Sequence, residues 1–168
     1  MKKIGIILGS LRKESLNKKL AETFIKLNHP DLEFSFIEIK DLPLFSEDLE
    51  KNLPLSVIKM RNEVNSVDNI LFMVPEYNRS ISGVLKNAID WASRPYNQGC
   101  LKGKSAAIAG IAYGAAGTAV AQSHLRSILP VVGMKLIVQP EMYITYKEGI
   151  FEDEKTLSFF RMFLNTLT

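Results

Sequence analysis

Five short apolar runs, each bounded by glycine, proline or polar residues, constrain this 168-residue chain more than any other feature. Lys3–Leu8, Ile70–Val74, Ser105–Ile111 and Lys135–Val138 are unbroken, the pattern of strands buried on both faces of a parallel sheet. Phe34–Ile39 instead places its apolar residues at Phe34, Phe36, Ile37 and Ile39, as a strand nearer an edge does. Helical stripes fill the intervals: Leu16, Leu20, Phe24 and Leu27; Val57, Arg61 through its aliphatic stem, and Val64; Leu85, Ala88, Ile89 and Ala92; Ala121, Leu125, Ile128 and Val132. A last helix opens on Glu152-Asp153-Glu154, acids suited to a helix N-terminus, and runs through Leu157, Phe160, Leu164 and Leu167. Strand and helix alternate throughout, which predicts an α/β, doubly wound parallel sheet with helices on both faces, in one domain spanning residues 1–168.

With 46% hydrophobic and 23% charged residues, the chain can bury a proper core. Its net charge of +3 arises wholly in residues 85–168 and forms no stripe, which argues against a nucleic-acid partner. Cys100 stands alone and His29 and His124 are far apart, so neither an internal disulfide nor a metal-ligand spacing exists, and a cytoplasmic protein without bound metal is expected. No apolar run approaches the roughly 18 residues of a membrane span, so no membrane partner is expected either. Asp41–Pro54, with two prolines, is the longest irregular segment, and loops of that length are often functional or mobile.

In a doubly wound sheet, ligands bind beyond the carboxyl ends of the strands. After the first run comes Gly9-Ser10-Leu11-Arg12-Lys13-Glu14-Ser15-Leu16-Asn17, just ahead of an amphipathic helix. Hydroxyls of Ser10 and Ser15, the Asn17 amide, the Arg12 guanidinium and the helix N-terminus together suit a phosphate. Taken singly, Ser15 reads as an N-cap, Gly9 as a turn residue and Arg12 as a solvated charge; jointly they favour an anion site. With Gly9 its only glycine, the segment is neither a GxGxxG cradle nor a P-loop.

After the third run, Pro75 makes a rigid exit and leaves Glu76, Tyr77 and Asn78 at the sheet edge, where they could read a flat heterocycle. Plainer readings stand beside these: Tyr77 covering the sheet end, Asn78 in a turn, Trp91 in the core, and Lys86 with Asp90 as a surface pair. His124 reads as flanking a packed helix or an interface, and Cys100 as an inert loop thiol.

The combination of Gly9-Ser10-Leu11-Arg12-x-x-Ser15-x-Asn17, Pro75-Glu76-Tyr77-Asn78-x-Ser80 and Leu85-Lys86-Asn87-Ala88-Ile89-Asp90-Trp91 resembles the NADPH-dependent FMN reductase family. The resemblance continues through Ser93-Arg94-Pro95, Leu101-Lys102-Gly103-Lys104 and Gln122-Ser123-His124-Leu125-Arg126. It implies a flavodoxin-like fold with five strands in the order 2-1-3-4-5. It also implies an oxidoreductase passing electrons from NADPH or NADH through bound FMN to quinones, azo compounds, free flavin or similar small-molecule acceptors, by a ping-pong mechanism. Carried over by position, Ser10, Leu11, Arg12, Ser15, Leu16 and Asn17 would hold the FMN phosphate. Pro75, Glu76, Tyr77 and Asn78 would line the flavin ring, with Ile111 and Gly114 contributing from the third segment. No catalytic residue of the chain's own is expected, because the cofactor carries the chemistry. One departure stands out: where the family usually has Ser or Thr at the end of the fourth strand, this chain has Ile111-Ala112-Tyr113-Gly114, so contact there would come from backbone or from Tyr113. Gly110, Gly114 and Gly117 suit close approach of backbone to a planar ring.

The family also implies a homodimer or homotetramer, to which Tyr96, Tyr143, Tyr146 and the Arg94 region could contribute. Three alternatives remain open from the residues: an FMN electron carrier that does not oxidise NAD(P)H, against which the +3 charge counts; a flavin-free binding module; and, last, a hydrolase using Ser10 or Ser15, neither of which lies in a GxSxG elbow.

Overall fold

A computed structural model describes residues 1–168. The elements run β1 (Lys2–Leu8), α1 (Leu16–Lys26), β2 (Leu32–Ile37), α2 (Leu55–Asn65), β3 (Asn69–Met73), α3 (Gly83–Ala92), β4 (Ser105–Ala112), α4 (Ala119–Ile128), β5 (Lys135–Leu136), β6 (Met142–Thr145) and α5 (Glu154–Asn165). All strands pair in parallel, in the expected order 2-1-3-4-5. Every residue of β3 is buried, because both faces of this central strand are covered. Ile70 and Phe72 face α2, α3 and α4, packing with Val57, Met60, Leu85 and Leu125. Leu71 and Met73 face α1 and α5, where Phe24 meets Phe160 edge to face at 5.2 Å.

Three details depart from the sequence reading. The fifth strand, expected over Lys135–Val138, is two segments on the same edge of β4: Leu136 stands opposite Ala106, and Met142 opposite Ala109. Ile137 N–H still donates to the Ala106 carbonyl at 2.9 Å, residues 138–141 leave the ladder, and Pro140 there has no amide to donate. The buried pair Met142 and Ile144 alternates with less buried Tyr143 and Thr145, as on a strand with one face against the core. In α2 the buried stripe is Val57, Met60 and Val64, while the Arg61 guanidinium donates to the Trp91 carbonyl at 3.0 and 3.2 Å. Helix α4 ends at Ile128 with Leu129 as C-cap, because Pro130 follows, and Val132 lies outside it.

The irregular segment before α2 is strapped down rather than loose. Pro43 carbonyl accepts from Trp91 Nε1 at 2.7 Å and Asn87 Nδ2 at 2.9 Å, and Phe45 packs on the Trp91 ring at 5.0 Å. Trp91 is fully buried, as its helical position suggested. No helix is long and apolar enough to cross a membrane.

Candidate functional site

At the carboxyl edge of the sheet, three segments converge on one cleft. Ser10, Arg12, Ser15, Leu16 and Asn17 line it from the turn after β1, Pro75, Glu76 and Tyr77 from the exit of β3, and Ile111, Ala112 and Tyr113 from the end of β4. Nine of the sequence-nominated residues therefore meet there, namely Ser10, Arg12, Ser15, Leu16, Asn17, Pro75, Glu76, Tyr77 and Ile111. Leu11 points to the other side of its turn, and Asn78 and Gly114 line a neighbouring hollow that shares Glu76 and Ala112 with the cleft. The cleft encloses ≈ 130 Å³ and the hollow ≈ 580 Å³. The first falls short of the roughly 300–1,000 Å³ of a small-molecule pocket, so a ligand headgroup fits the cleft and its larger body the hollow.

The first turn is held by close packing. A Cβ on Gly9 would lie 2.8 Å from Pro75 Cδ and 3.1 Å from the Met73 carbonyl, so only glycine lets the two turns touch. Ser82 binds them from α3: its hydroxyl donates to Gly9 carbonyl at 2.6 Å and accepts from Leu85 N–H at 3.3 Å as the helix N-cap. Ser15 caps α1 in the same way, accepting from Lys18 N–H at 3.3 Å, and Ser10 Oγ accepts from Arg12 N–H at 3.4 Å. Both hydroxyls act only as acceptors in these contacts, which leaves their protons to donate. The amides of Leu16 and Asn17, in the first turn of α1, have no intrahelical acceptor.

Asn17 does more than its motif suggested. Its Nδ2 donates to Ile111 carbonyl and its Oδ1 accepts from Ile111 N–H, both at 3.1 Å and buried, so it clamps α1 to the end of β4. One amide hydrogen remains for the cleft.

Glu76 is likewise engaged. Its Oε2 accepts from Ala121 N–H at 3.0 Å and its Oε1 lies 3.7 Å from Arg79 Nη1. The carboxylate thus caps α4, a task the N-cap residue Thr118 does not perform because its buried hydroxyl accepts from Gln122 Nε2 at 2.9 Å. Tyr77 and Ser80 exchange two backbone hydrogen bonds of 3.0 Å around a tight turn, with Asn78 at φ 51° and Arg79 at φ 63°. Asparagine tolerates that left-handed conformation; for arginine it costs about 1–2 kcal/mol, strain that is often found at functional sites. On the far side, Thr145 of β6 anchors the loop after β4 through Gly114 and Ala115 carbonyls at 3.3 and 3.1 Å, and Tyr113 stacks edge-on against Tyr146 at 5.1 Å.

Gly110 of β4 and Gly114 and Gly117 of the loop after it differ in role. A Cβ on Gly110 would run into Thr118 Oγ1, and Gly117 holds φ +58° against the backbone of Tyr143 and Ile144. Internal packing accounts for both, and only Gly114 faces open space. Ala112 and Tyr113 belong to the segment after the fourth run in which contact is expected, whereas Ser82 and Thr145 lie outside the motifs: Ser82 is a serine directly before an apolar helix stripe, and Thr145 lies on β6, a strand beyond the five expected.

Other polar groups are occupied elsewhere. Lys86 and Asp90 pair at 2.7 Å on the surface, and Arg94 binds Glu47 and Glu50. Tyr143 hydroxyl donates to Glu141 and accepts from Arg126, both at 2.8 Å, and burial raises its pKa. Burial also pushes the Cys100 thiol up, away from a reactive thiolate. Ser80 Oγ lies 3.1 Å from His124 Nδ1, but no carboxylate stands behind that imidazole, so no relay for a nucleophilic serine is assembled.

Comparison with known proteins follows the same lines. A family model described as NADPH-dependent FMN reductase matches residues 2–149. A 2-hydroxy-1,4-benzoquinone reductase from a Burkholderia species is 46% identical over 147 residues, covering 88% of this chain and 80% of the relative. The structure of a flavoenzyme NAD(P)H:(acceptor) oxidoreductase from Paracoccus denitrificans is 41% identical and superposes with a TM-score of 0.94 over 98% of this chain and 94% of the other. A flavodoxin variant from Pseudomonas aeruginosa, 16% identical over 98% of both chains, superposes at a TM-score of 0.64, which places the fold in the flavodoxin-like class.

Proposed function

We propose, from the premise that this chain belongs to the NADPH-dependent FMN reductase family, that it binds FMN at the carboxyl edge of its sheet and reduces quinones at the expense of NAD(P)H. The observation that carries this reading is the asymmetry of the cleft. One end gathers hydroxyl donors, a guanidinium and free helix amides, and the only carboxylate in its lining, Glu76, is engaged with Ala121 N–H and Arg79. That donor set fits a terminal phosphate. The other end opens into a hollow walled by the backbone of Gly114–Gly117 and flanked by the exposed Tyr77 and Tyr113, which fits a flat ring.

Bound there, FMN supplies the two-electron hydride chemistry between NAD(P)H and acceptor. The chain's own task is placement. Ser10, Ser15, Asn17 and Arg12 fix the phosphate, and the first turn of α1 adds its positive dipole end. Asn17, by bridging to Ile111, holds the phosphate loop and the β4 loop at constant separation, so the ring has one seat. Tyr77 and Tyr113 shield the ring edge from water while leaving a face open to successive substrates. No side chain need move a proton on carbon.

The chain acts as one domain and as a homodimer or homotetramer in the cytoplasm, with Tyr96 and Val131, exposed at 77% and 85%, on a surface a second copy could cover. Size-exclusion mass against the 18.9 kDa protomer checks the assembly. The activity is tested by the absorbance spectrum of FMN-loaded protein before and after anaerobic NADPH, then after a benzoquinone. Bleaching followed by recovery is expected; a flavin that stays oxidised for minutes returns the chain to the electron-carrier reading, and protein that takes up no FMN returns it to a flavin-free module.

A further inference from the structure

The turn that carries Ser10 and Arg12 has a second side. There the carboxyl ends of β1 and β2 and the start of α1 enclose a shelf of ≈ 410 Å³, which shares Ser10 and Arg12 with the cleft. Its apolar surface includes two exposed side chains, Phe36 at 44% and Leu11 at 54%, where an edge strand would ordinarily present polar residues. Around them stand Lys13 and Lys40, neither of which has an ion-pair partner, while Lys18 reaches Glu22 only at 3.9 Å. The single acid of the lining, Glu38, accepts from Lys40 backbone N–H at 3.1 Å. Unpaired cations grouped beside an exposed aromatic face focus a positive potential on a surface that also favours a planar ring. The matching ligand is a purine nucleotide with more than one phosphate.

We infer that this shelf holds the adenosine end of NADPH, with the purine against Phe36 and Leu11 and the 2′-phosphate on Lys13 and Lys40. The inference rests on the proposed reductase function, which supplies the dinucleotide. The shelf lies beyond the phosphate end of the cleft, away from Tyr113–Gly117, so nicotinamide and adenosine occupy opposite ends of the site. A phosphate monoester carries nearly two negative charges where NADH has a neutral hydroxyl, so these lysines select the phosphorylated dinucleotide.

The test is calorimetric titration of FMN-loaded protein with adenosine 2′,5′-bisphosphate and with adenosine 5′-monophosphate, in the unaltered chain and in Lys13→Gln/Lys40→Gln. The bisphosphate is expected to bind about tenfold more tightly than the monophosphate, with the difference lost in the double variant. In parallel, kcat/KM for NADPH should fall about tenfold in the variant while that for NADH stays unchanged. Phe36→Ala, on an exposed edge, should weaken both nucleotides alike. Equal binding of the two nucleotides to the unaltered chain, a preference that survives removal of both lysines, or equal losses with NADPH and NADH would each overturn the assignment. A chain that selects the bisphosphate through these lysines yet oxidises neither dinucleotide would sink the reductase reading and keep the shelf as a nucleotide site. Oxidation of both dinucleotides without bisphosphate selectivity would do the reverse.

Discussion

Ser10, Ser15 and Asn17 are 6%, 3% and 4% exposed, whereas Tyr77 and Tyr113, across the same cleft, are 46% and 69% exposed. The end proposed to hold the phosphate is built into the protein interior, fixed by an N-cap, a buried amide clamp and glycine packing. The ring end is an edge of turns, held by a carboxylate cap and by one threonine hydroxyl on two carbonyls. The difference teaches where each kind of recognition belongs. A phosphate needs fixed donors at fixed distances, and burial supplies rigidity. The surface proposed to take a nicotinamide and then a quinone needs an open face, and exposed tyrosines with small neighbours leave one.

Removing the clamp should have the largest effect on that contrast. Asn17→Leu leaves the buried N–H and C=O of Ile111 without partners, and a loss of about 2–5 kcal/mol in urea unfolding is expected. A loss below 1 kcal/mol would show that the two ends are not joined through Asn17. Arg12→Ala acts on ligand rather than fold: FMN affinity should weaken by about 1.5–3 kcal/mol in a fluorescence titration, with the unfolding midpoint unchanged. Unaltered FMN dissociation would return Arg12 to a solvated charge. At the ring end, Glu76→Ala should cost about 0.5–2 kcal/mol of stability through loss of the α4 cap, and Glu76→Gln should recover most of it because an amide oxygen still accepts from Ala121. A glutamine variant as unstable as the alanine one would assign the effect to charge, through Arg79 and the helix dipole.

The smallest effect lies outside both ends. Asp153, the N-cap of α5, accepts from Thr156 N–H and hydroxyl at 2.9 and 2.6 Å, and these bonds hold its carboxyl below the usual range. A depressed folded pKa contributes stability that is present above the unfolded value near ~3.9 and is lost as pH falls through the lower folded one. Asp153→Asn should therefore flatten the acid limb of an unfolding profile in that window without altering FMN binding. A change in FMN affinity would instead tie α5 to the cleft.

Much of this was legible in the chain. The alternation of apolar runs and helical stripes specified the sheet and its two helical faces, because burial on both sides leaves β3 and β4 without polar side chains after their first residues, Asn69 and Ser105. The donors after β1 could be read as one candidate anion site because they fall within eight residues, Ser10 to Asn17, at the start of a helix, where geometry is local. The β5–β6 break, by contrast, depends on how five residues fit opposite two on β4, which no periodicity records.

Asn17 on Ile111, Glu76 on Ala121 and Thr145 on Gly114 join residues 94, 45 and 31 positions apart. Each side chain carried the right chemistry in the sequence, and two were nominated as ligand contacts. Only the packed fold decided that their first partners are backbone groups of other elements, since a buried amide or helix end must be satisfied by whatever polar atom the tertiary arrangement brings within reach. Local order chose the residue types at this site; the long-range demand for hydrogen-bond partners chose what they hold.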